Sequence, residues 1–420
     1  MDVRKRRKDK KAKTNININI NLKAIAVIAL AVIILVSIIL LTRNIILKKR
    51  KNVENPAKQE INVLFEEINK EGEEFLKPED TVITISVVGG IFCDEGILNS
   101  AYNKETEEYN FYNSFNKITN RTLNADIAIG TLNTNFVDKK SYTSKNTHNA
   151  PEELASALKL IGIDILNIAT NCSYDYGLEG IRSTKSTLEE NGINGIGTYE
   201  EESEAGAILI KEIEDVKIAF LSYTYETDKN ISKNNSYSVN IIDKEKIKED
   251  IEKSKKTGAD FVFINMNWGE EKSNNITSEQ RELADFLVEN GADFIIGSHP
   301  ILVQPMEMKK NSDGKDVLIA YSLGNFLSSE NYKESNIGLT LNIQITKSAE
   351  TGEKYLSKVI YTPIYIVDNG KNSANRYEIL DIREEIQKYQ ENSKEKVSED
   401  LYVELKQALN KVEELIGGNG

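Results

Sequence analysis

The residues of this sequence that could do chemistry are concentrated where predicted strands end. Strand-like runs are followed by short segments rich in amide side chains, with a histidine and a tryptophan among them. In sheets of parallel strands, binding sites form at the carboxyl ends of the strands, so these segments should meet at one edge. The segments are Gly89-Gly90, 131–134, 170–172 continuing to 175–177, 267–271, 297–300 with Gln304, and 322–326.

Amide side chains dominate this set and indicate binding rather than catalysis. Amides offer hydrogen-bond donors and acceptors without charge, which suits a polymer of amides or hydroxyls. We therefore predict a polymer-binding groove at the strand ends. The predicted groove is lined by Asn133, Asn171, Cys172, Asn267, Trp268, Glu271, His299, Gln304 and Asn325.

Metal-dependent hydrolysis is disfavoured by a shortage of imidazoles. A two-metal hydrolase needs several histidine and carboxylate ligands to fix both ions and to generate hydroxide near neutral pH. The chain has two histidines, His148 and His299. We therefore expect no catalytic residues, no bound metal and no cofactor.

Several of these residues also have plain structural interpretations. His299, directly before Pro300, fits a hydrogen-bonded loop histidine, which we favour over a metal ligand. Trp268 fits packing against the sheet, although a rim aromatic could also contact a ligand. Asp175 is typical of a residue in a turn that caps the start of a helix. His148 lies in an Asn/Thr-rich loop, and no motif around it indicates a function.

The elements that would position these residues alternate between strands and helices. Strands separated by helices imply βα units and a mainly parallel sheet covered on both faces. Two long late strands have no helix between them and suggest an added antiparallel layer. The predicted strands are 81–88, 125–132, 163–169, 207–213, 217–225, 260–266, 293–297, 317–321, 338–346 and 357–367, and the helices are 60–76, 150–162, 178–191, 243–256, 278–290 and 382–416.

Charge is distributed unevenly along the chain. The first 51 residues hold 14 Lys/Arg against two acids, and the remainder holds 39 Lys/Arg against 64 Asp/Glu, a formal charge of −25. Because an acidic domain repels phosphates, binding of nucleic acid by this part is disfavoured.

Residues 24–42 form an uncharged, almost wholly aliphatic run of 19 residues. That length is sufficient to cross a hydrocarbon core of about 30 Å. A cleaved signal peptide is the alternative, but the run is longer than usual and ends without a small-residue cleavage site. More basic residues precede the run than follow it, so we predict a single-pass cell-membrane protein with a cytoplasmic N-terminus and an extracytoplasmic main domain.

In their order and spacing, the strand-end motifs resemble the bacterial CapA family, the poly-γ-glutamate capsule synthesis proteins with a metallophosphatase-like domain. The resemblance runs from about residue 84 to residue 326. The family's Gly-Asp falls on Gly89-Gly90, Asn-Leu-Glu on 131–133, Asn-Asn-His with Asp-x-Gly on 170–172 and 175–177, His-Trp-Gly-x-Glu on 267–271, Gly-x-His-Pro-His on 297–301, and Ser-Leu-Gly-Asn-Phe on 322–326.

The resemblance implies that the frame of the family is kept while the metal ligands are replaced. Of the implied ligand set, Asn171 and His299 remain. The implied fold is α/β, a metallophosphatase-like layered α/β/β/α domain behind a transmembrane helix. The family's carboxylates are absent at Gly90 and Asn133, and its imidazoles at Cys172, Asn267 and Ile301.

Five segments follow from these interpretations. The predicted segments are a basic cytoplasmic tail (1–23), a transmembrane helix (24–42), a juxtamembrane stalk with an amphipathic helix (43–79), a CapA-like metallophosphatase-fold domain (80–370) and a charged helical C-terminal segment (371–420).

The function that the resemblance implies is a pseudoenzyme: a non-catalytic accessory or binding subunit in the synthesis, export or anchoring of capsule poly-γ-glutamate or another cell-surface polymer. Its expected partners are the membrane and the polymer or its synthesis and export machinery. One alternative is an active hydrolase of phosphoester or amide bonds with an unconventional site at Cys172, His299, Asp94 and Glu271. Another is a purely structural ectodomain.

Cys93 and Cys172 are the two cysteines of the chain. Cys93 follows the first strand end closely, and Cys172 takes a position that resembles a family ligand site at a neighbouring strand end. An oxidising exterior permits a bridge between them. Two unpaired thiols that behave as small hydrophobic residues fit the sequence equally well.

Overall fold

The computed structural model describes residues 79–138, 140–371, 373 and 375–417, together with Ile34, Ser37 and Ile38, which are helical. The chain divides into two units, Met1–Lys77 and Pro78–Gly420. The predicted basic tail, the stalk helix and most of the predicted transmembrane run lie outside the described residues. Within the described part, no helix is long and apolar enough to cross a membrane.

Sixteen strands and eight α-helices make up the described part of the second unit. The strands are β1 (Thr81–Ile91), β2 (Tyr102–Asn103), β3 (Glu108–Tyr109), β4 (Ile127–Leu132), β5 (Ile165–Asn167), β6 (Asn194–Ile196), β7 (Leu209–Ile213), β8 (Val216–Thr224), β9 (Phe261–Asn267), β10 (Phe294–Ser298), β11 (Met306–Lys310), β12 (Asp316–Ala320), β13 (Asn325–Leu327), β14 (Ile337–Lys347), β15 (Lys354–Asp368) and β16 (Tyr377–Asp381). The helices are α1 (Glu95–Ala101), α2 (Asn120–Leu123), α3 (Glu153–Leu160), α4 (Gly177–Glu190), α5 (Lys244–Lys256), α6 (Ser278–Asn290), α7 (Ile382–Gln390) and α8 (Glu399–Gly417).

The strands form two large mixed sheets and one short hairpin. The first sheet has the order β16-β15-β14-β1-β4-β5-β6, with β13 also paired to β1, and the second has the order β11-β12-β10-β9-β8-β7. Each sheet has a parallel centre, β1-β4-β5-β6 in one and β8-β9-β10-β12 in the other. Antiparallel strands complete the remaining edges.

The two sheets pack face to face around one apolar cluster. Ile83, Ile85 and Val87 of β1 alternate toward this cluster, which also contains Phe220 and Phe263 of the second sheet. This alternation is expected because successive side chains of a strand point to opposite faces. Burying each such side chain contributes about 2 kcal/mol to folding.

Helices cover the outer face of each sheet. Helices α1 and α3 supply Leu98 and Leu154 to the cluster outside the first sheet. Helices α5 and α6 supply Ile251 and Leu287 to the cluster outside the second sheet. The layers therefore run helix, sheet, sheet, helix, and the predicted α/β class is confirmed.

The structure corrects two details of the predicted architecture. The strands predicted as an added antiparallel layer, β14 and β15, instead extend the first sheet beside β1. The C-terminal segment predicted as helical contains strand β16 before α7 and α8, and β16 pairs with β15. Buried positions in β16, such as Ile379, are not distinguishable from one face of a helix over so short a segment.

Candidate functional site

A cavity of about 210 Å³ lies at the carboxyl ends of strands from both sheets. The loops after β1, β4 and β5 form one side of it, and the loops after β8, β9 and β10 form the other. The position agrees with the general location of binding sites in α/β folds. The lining residues are Phe92, Asn133, His148, Asn171, Cys172, Asp228, Glu271, His299, Ile301, Asn325, Ser328 and Glu330.

Six of the nine residues predicted for the groove line this cavity, and three do not. The six are Asn133, Asn171, Cys172, Glu271, His299 and Asn325. Asn133 and Asn171 are partly exposed, whereas Asn325 is buried and donates from Nδ2 to the Ser335 carbonyl at 3.1 Å. The side chains available to a ligand are therefore fewer than the sequence suggests.

Asn267 was predicted for the groove but lies in the protein interior. Its side chain is 1% exposed, Oδ1 accepts from the Thr224 hydroxyl at 3.0 Å, and Nδ2 donates to the Ser298 hydroxyl at 3.3 Å. These bonds join the ends of β8, β9 and β10. The amide is a cross-strand tie rather than a ligand contact, because both of its polar atoms are already engaged.

Trp268 and Gln304 are likewise parts of the frame. Trp268 is 2% exposed and donates from Nε1 to the Tyr321 carbonyl at 2.9 Å, with its ring stacked on Tyr321 at 5.9 Å. Gln304 is fully buried and donates from Nε2 to the carbonyl groups of Ser273 and Asn275. Both positions correct the predicted groove.

Gly297 packs so closely against Trp268 and Tyr321 that only a glycine fits at this position. A Cβ atom on Gly297 would lie 1.8 Å from the Tyr321 carbonyl oxygen and 2.4 Å from Trp268 Nε1. Both contacts are closer than atoms can approach, so any side chain here would displace the tryptophan.

His148 lines the cavity, although no sequence motif identifies it as a site residue. Its Nδ1 atom lies 2.8 Å from Asp175 Oδ2, and its backbone N–H donates to the same oxygen at 2.8 Å. The loop is fixed by the buried side chain of Asn149, which bonds both backbone groups of Val137. The sequence feature that could have identified His148 is that it is one of the chain's two histidines.

Asp228 is the second residue that the sequence analysis missed. Its backbone N–H donates to the Asn171 carbonyl at 2.7 Å, and Asn171 Nδ2 donates to both carboxylate oxygens at 3.2 and 3.3 Å. Asp228 follows β8, a strand end that contributes no recognised motif. Both histidines and several carboxylates thus meet in one cavity.

His299 lies in a strained turn around Pro300. His299 has φ 96° and Ile301 has φ 68°, values that are rare for residues with a side chain and especially for a β-branched one. Such strain costs about 1–3 kcal/mol per residue and is typical of functional sites. Burial lowers the pKa of His299, while Glu271 and Asp228 raise it by a smaller amount.

The residues at the positions where the resemblance implies metal ligands do not fit a pair of metal ions. A Cβ atom on Gly90 would lie 3.0 Å from Asn133 Nδ2 and 3.5 Å from Asn325 Oδ1, so these positions do converge. They present two amides and no carboxylate. Asn267 is engaged within the frame, and Ile301 supplies no donor atom.

In the structure, Cys93 and Cys172 are both free thiols and both are buried. Cys93 is buried in the apolar cluster outside the first sheet. Cys172 Sγ lies 3.4 Å from the Thr170 hydroxyl, and burial raises the pKa of this thiol far above its usual range. A thiol held protonated in this way is a poor nucleophile.

Asp94, the other member of the alternative catalytic group, has a structural role. It is the N-cap of α1 and accepts hydrogen bonds from the backbone N–H groups of Gly96 and Ile97. Its other oxygen accepts from the hydroxyl of Ser328 at 3.0 Å. Of the alternative hydrolase site, Cys172, His299 and Glu271 line the cavity, and Asp94 is not among the lining residues.

Comparison with known proteins gives relatives in capsule biosynthesis. The chain is 30% identical over 264 residues to the capsule biosynthesis protein CapA of Bacillus anthracis, covering 59% of this chain and 60% of that protein. It is 27% identical over 274 residues to the PGA biosynthesis protein CapA of Bacillus subtilis (strain 168), covering 64% and 69%. The match therefore spans less than two thirds of the length of the B. anthracis relative.

Similarity to solved structures is weaker. The calcineurin-like phosphoesterase YfkN from Bacillus subtilis aligns with 13% identity and a TM-score of 0.41, covering 68% of this chain and 91% of that one. A likeness of this size carries no inference about activity.

The family match covers the whole candidate site. Residues 84–330 match the family described as bacterial capsule synthesis protein PGA_cap, and every residue that lines the cavity lies within this range. Because the matched range is more than half of the chain, the protein belongs to this family of bacterial capsule synthesis proteins.

Proposed function

We propose that the protein is a membrane-anchored, extracytoplasmic subunit that binds a capsule polymer without hydrolysing it. The observation that carries the proposal is the cavity at the strand ends, where Gly90 and the amides of Asn133 and Asn325 converge and no carboxylate is present at Gly90 or Asn133. The named relatives act in capsule and PGA biosynthesis, which favours poly-γ-glutamate as the polymer.

The chemistry of the cavity favours contacts with the amide backbone of such a polymer. Asn133 offers an amide donor and acceptor, and Asn171, whose Nδ2 is bonded to Asp228, offers its Oδ1 acceptor; both match a peptide-like chain. Asp228, Glu271 and Glu330 give the cavity a negative lining, so the polymer's own carboxylates would face the solvent. Binding should strengthen as salt screens this repulsion.

Polymer binding can be measured with fluorescein-labelled poly-γ-glutamate and the full-length chain in detergent, by fluorescence anisotropy. Replacing both Asn133 and Asn171 with Leu removes two hydrogen-bonding groups and should weaken binding by about tenfold or more. Asn99→Leu, an exposed amide on α1 outside the cavity, is the matched control. If the double variant and the wild type bound the polymer with equal affinity, the cavity would not be the polymer-binding site.

The non-catalytic part of the proposal has a separate test. Unlabelled polymer incubated with the wild-type protein should keep its length on a gel, with or without added divalent metal. Shortened polymer would show that the protein is a hydrolase.

The membrane topology rests on the basic excess before residue 24. Protease added to intact cells should digest the main domain. Protection of that domain from the protease would contradict an extracytoplasmic location.

A further inference from the structure

Three side chains at the edge of the cavity have the composition of a metal site. His148, Asp175 and Asp228 each offer a ligand atom, and these atoms all lie within 4.8 Å of one another. Atoms that bind one ion at about 2.1 Å are separated by roughly 3 to 4 Å, so a small adjustment brings the three together. Asp228 is the exposed member of the three, so its side chain has the most room to make that adjustment.

Asp175 provides an independent reason to expect a cation. Its side chain is 0% exposed, and Oδ2 accepts both hydrogen bonds from His148. Its other oxygen, Oδ1, is buried and has no hydrogen-bond partner among the described residues. Buried carboxylate oxygens are unfavourable without a partner, and a bound cation would compensate for the missing one.

The surrounding contacts hold two of the three groups in place. His148 Nδ1 and Asp175 Oδ2 already lie 2.8 Å apart, so an ion bound to both atoms would take the place of the proton that they share. Asn171 Nδ2 donates to both oxygens of Asp228 and keeps that carboxylate beside the cavity. The three groups come from separate loops, after β4, β5 and β8.

We propose that His148, Asp175 and Asp228 bind a single divalent first-row metal ion, either Zn²⁺ or Mn²⁺. An imidazole with two carboxylates suits these ions better than Ca²⁺ or Mg²⁺, which prefer oxygen ligands alone. The site uses none of the family positions at Gly90, Asn133, Cys172, Asn267 and Ile301. It revises the expectation of no metal, which rested on the loss of ligands at those positions and on the shortage of histidines.

This inference goes beyond the proposed function and does not depend on it. A single ion at the cavity edge is compatible with polymer binding and with its absence. Repeating the anisotropy measurement in EDTA separates the two ideas, because polymer binding that persists there supports the proposed function whatever the metal result.

The test uses the full-length chain, stripped with EDTA and titrated with ZnCl₂ or MnCl₂ by calorimetry. The wild type should bind one equivalent of at least one of these ions, and elemental analysis after dialysis should give the same ratio. Asp228→Asn should weaken binding by about tenfold or more, as should His148→Gln. Asp228→Asn changes an exposed side chain, so its thermal unfolding should match that of the wild type.

Glu226→Gln is the matched control, because Glu226 is exposed, lies in the same loop and loses the same charge. It should bind metal as the wild type does. The proposal is overturned if the wild type binds neither ion saturably, or if Asp228→Asn binds as well as the wild type. An equal loss in Glu226→Gln would also overturn it, since the effect would then be general electrostatics.

Discussion

The two sides of the cavity use the same kind of side chain for different purposes. On the first-sheet side, Asn133 and Asn171 are partly exposed and line the cavity. On the second-sheet side, Asn267 and Gln304 are buried, and their polar atoms are bonded to neighbouring loops. An amide at a strand end is therefore no guide to ligand binding until its hydrogen-bond partners are known.

The difference follows from how the loops are supported. On the second-sheet side Trp268 is buried, and its indole is bonded to Tyr321 and stacked on its ring. The loop that carries His148 is instead fixed by Asn149, and Asn171 is tied to Asp228 at the surface. On the second-sheet side the buried amides belong to the frame while Glu271 and His299 reach the cavity, and on the first-sheet side amides themselves line it.

Trp268→Ala tests the frame and should have the largest effect. Removing a buried indole leaves a cavity and an unpaired carbonyl on Tyr321, so the free energy of unfolding should fall by about 3–5 kcal/mol. Denaturant unfolding of the full-length chain measures this. Trp268→Phe, which keeps a ring but loses the hydrogen bond, should lie between. A loss below about 1 kcal/mol for the alanine variant would contradict the role assigned to the tryptophan.

The two classes of amide can be compared directly. Asn267→Leu removes the amide that bonds the Ser298 hydroxyl and one of the two acceptors of the Thr224 hydroxyl, and should destabilise the protein by about 2 kcal/mol. Asn171→Leu, on the partly exposed side, should change stability by about 0.5 kcal/mol or less. In the polymer assay, the Asn171 variant should lose affinity. Similar stability losses in the two variants would remove the distinction between the two sides.

Much of this frame was predictable from the sequence. Hydrophobic periodicity and glycine positions predicted helices and strands close to those observed, such as α6 and β9. The order of motifs predicted which loops meet, because parallel strands place their carboxyl ends along one edge. Six of the groove residues follow from that rule alone.

The rest of the site depends on contacts that no local pattern encodes. His148 reaches the cavity through a long loop held by Asn149, and only the fold brings it to Asp175. Burial of Asn267 and Gln304 depends on side-chain partners such as Ser298 and Gln280, which lie far away in sequence. Local spacing gave the position of each loop but not the direction of its side chains.

Two ionisable residues flank strand β10: Asp293 directly precedes it and His299 directly follows it. In both residues burial disfavours the charged form. Burial raises the pKa of Asp293, at its start, to about 6, although the Val262 N–H lowers it in part. In an unfolded chain this carboxyl titrates near about 3.9. The native state therefore binds more protons between these values, and the contribution of Asp293 to stability is lost as pH rises from about 4 to 6.

Asp293→Asn should flatten this part of the stability profile while keeping an oxygen for the Val262 N–H, which now donates at 2.8 Å. Denaturant midpoints measured across that pH range give the difference between variant and wild type. Asp313→Asn, on an exposed turn, is the control and should leave the profile unchanged. A profile in Asp293→Asn with the slope of the wild type would show that this carboxyl does not titrate in the range.

The smallest expected effect concerns the thiols of Cys93 and Cys172, which follow strands β1 and β5 of the first sheet. Cys93 lies in the outer apolar cluster and Cys172 in the cavity wall, and burial raises the pKa of both. Both should resist a thiol reagent in the native protein and react fully once it is unfolded, because the thiolate is the reactive form. A reducing agent should leave the melting temperature unchanged. If reduction lowered it, a bridge would be present, and the cavity wall would be cross-linked rather than merely packed. If Cys172 alone reacted quickly, the cavity wall around it would open to solvent more often than its burial indicates. The first-sheet side, whose amides line the cavity, would then also be the mobile side.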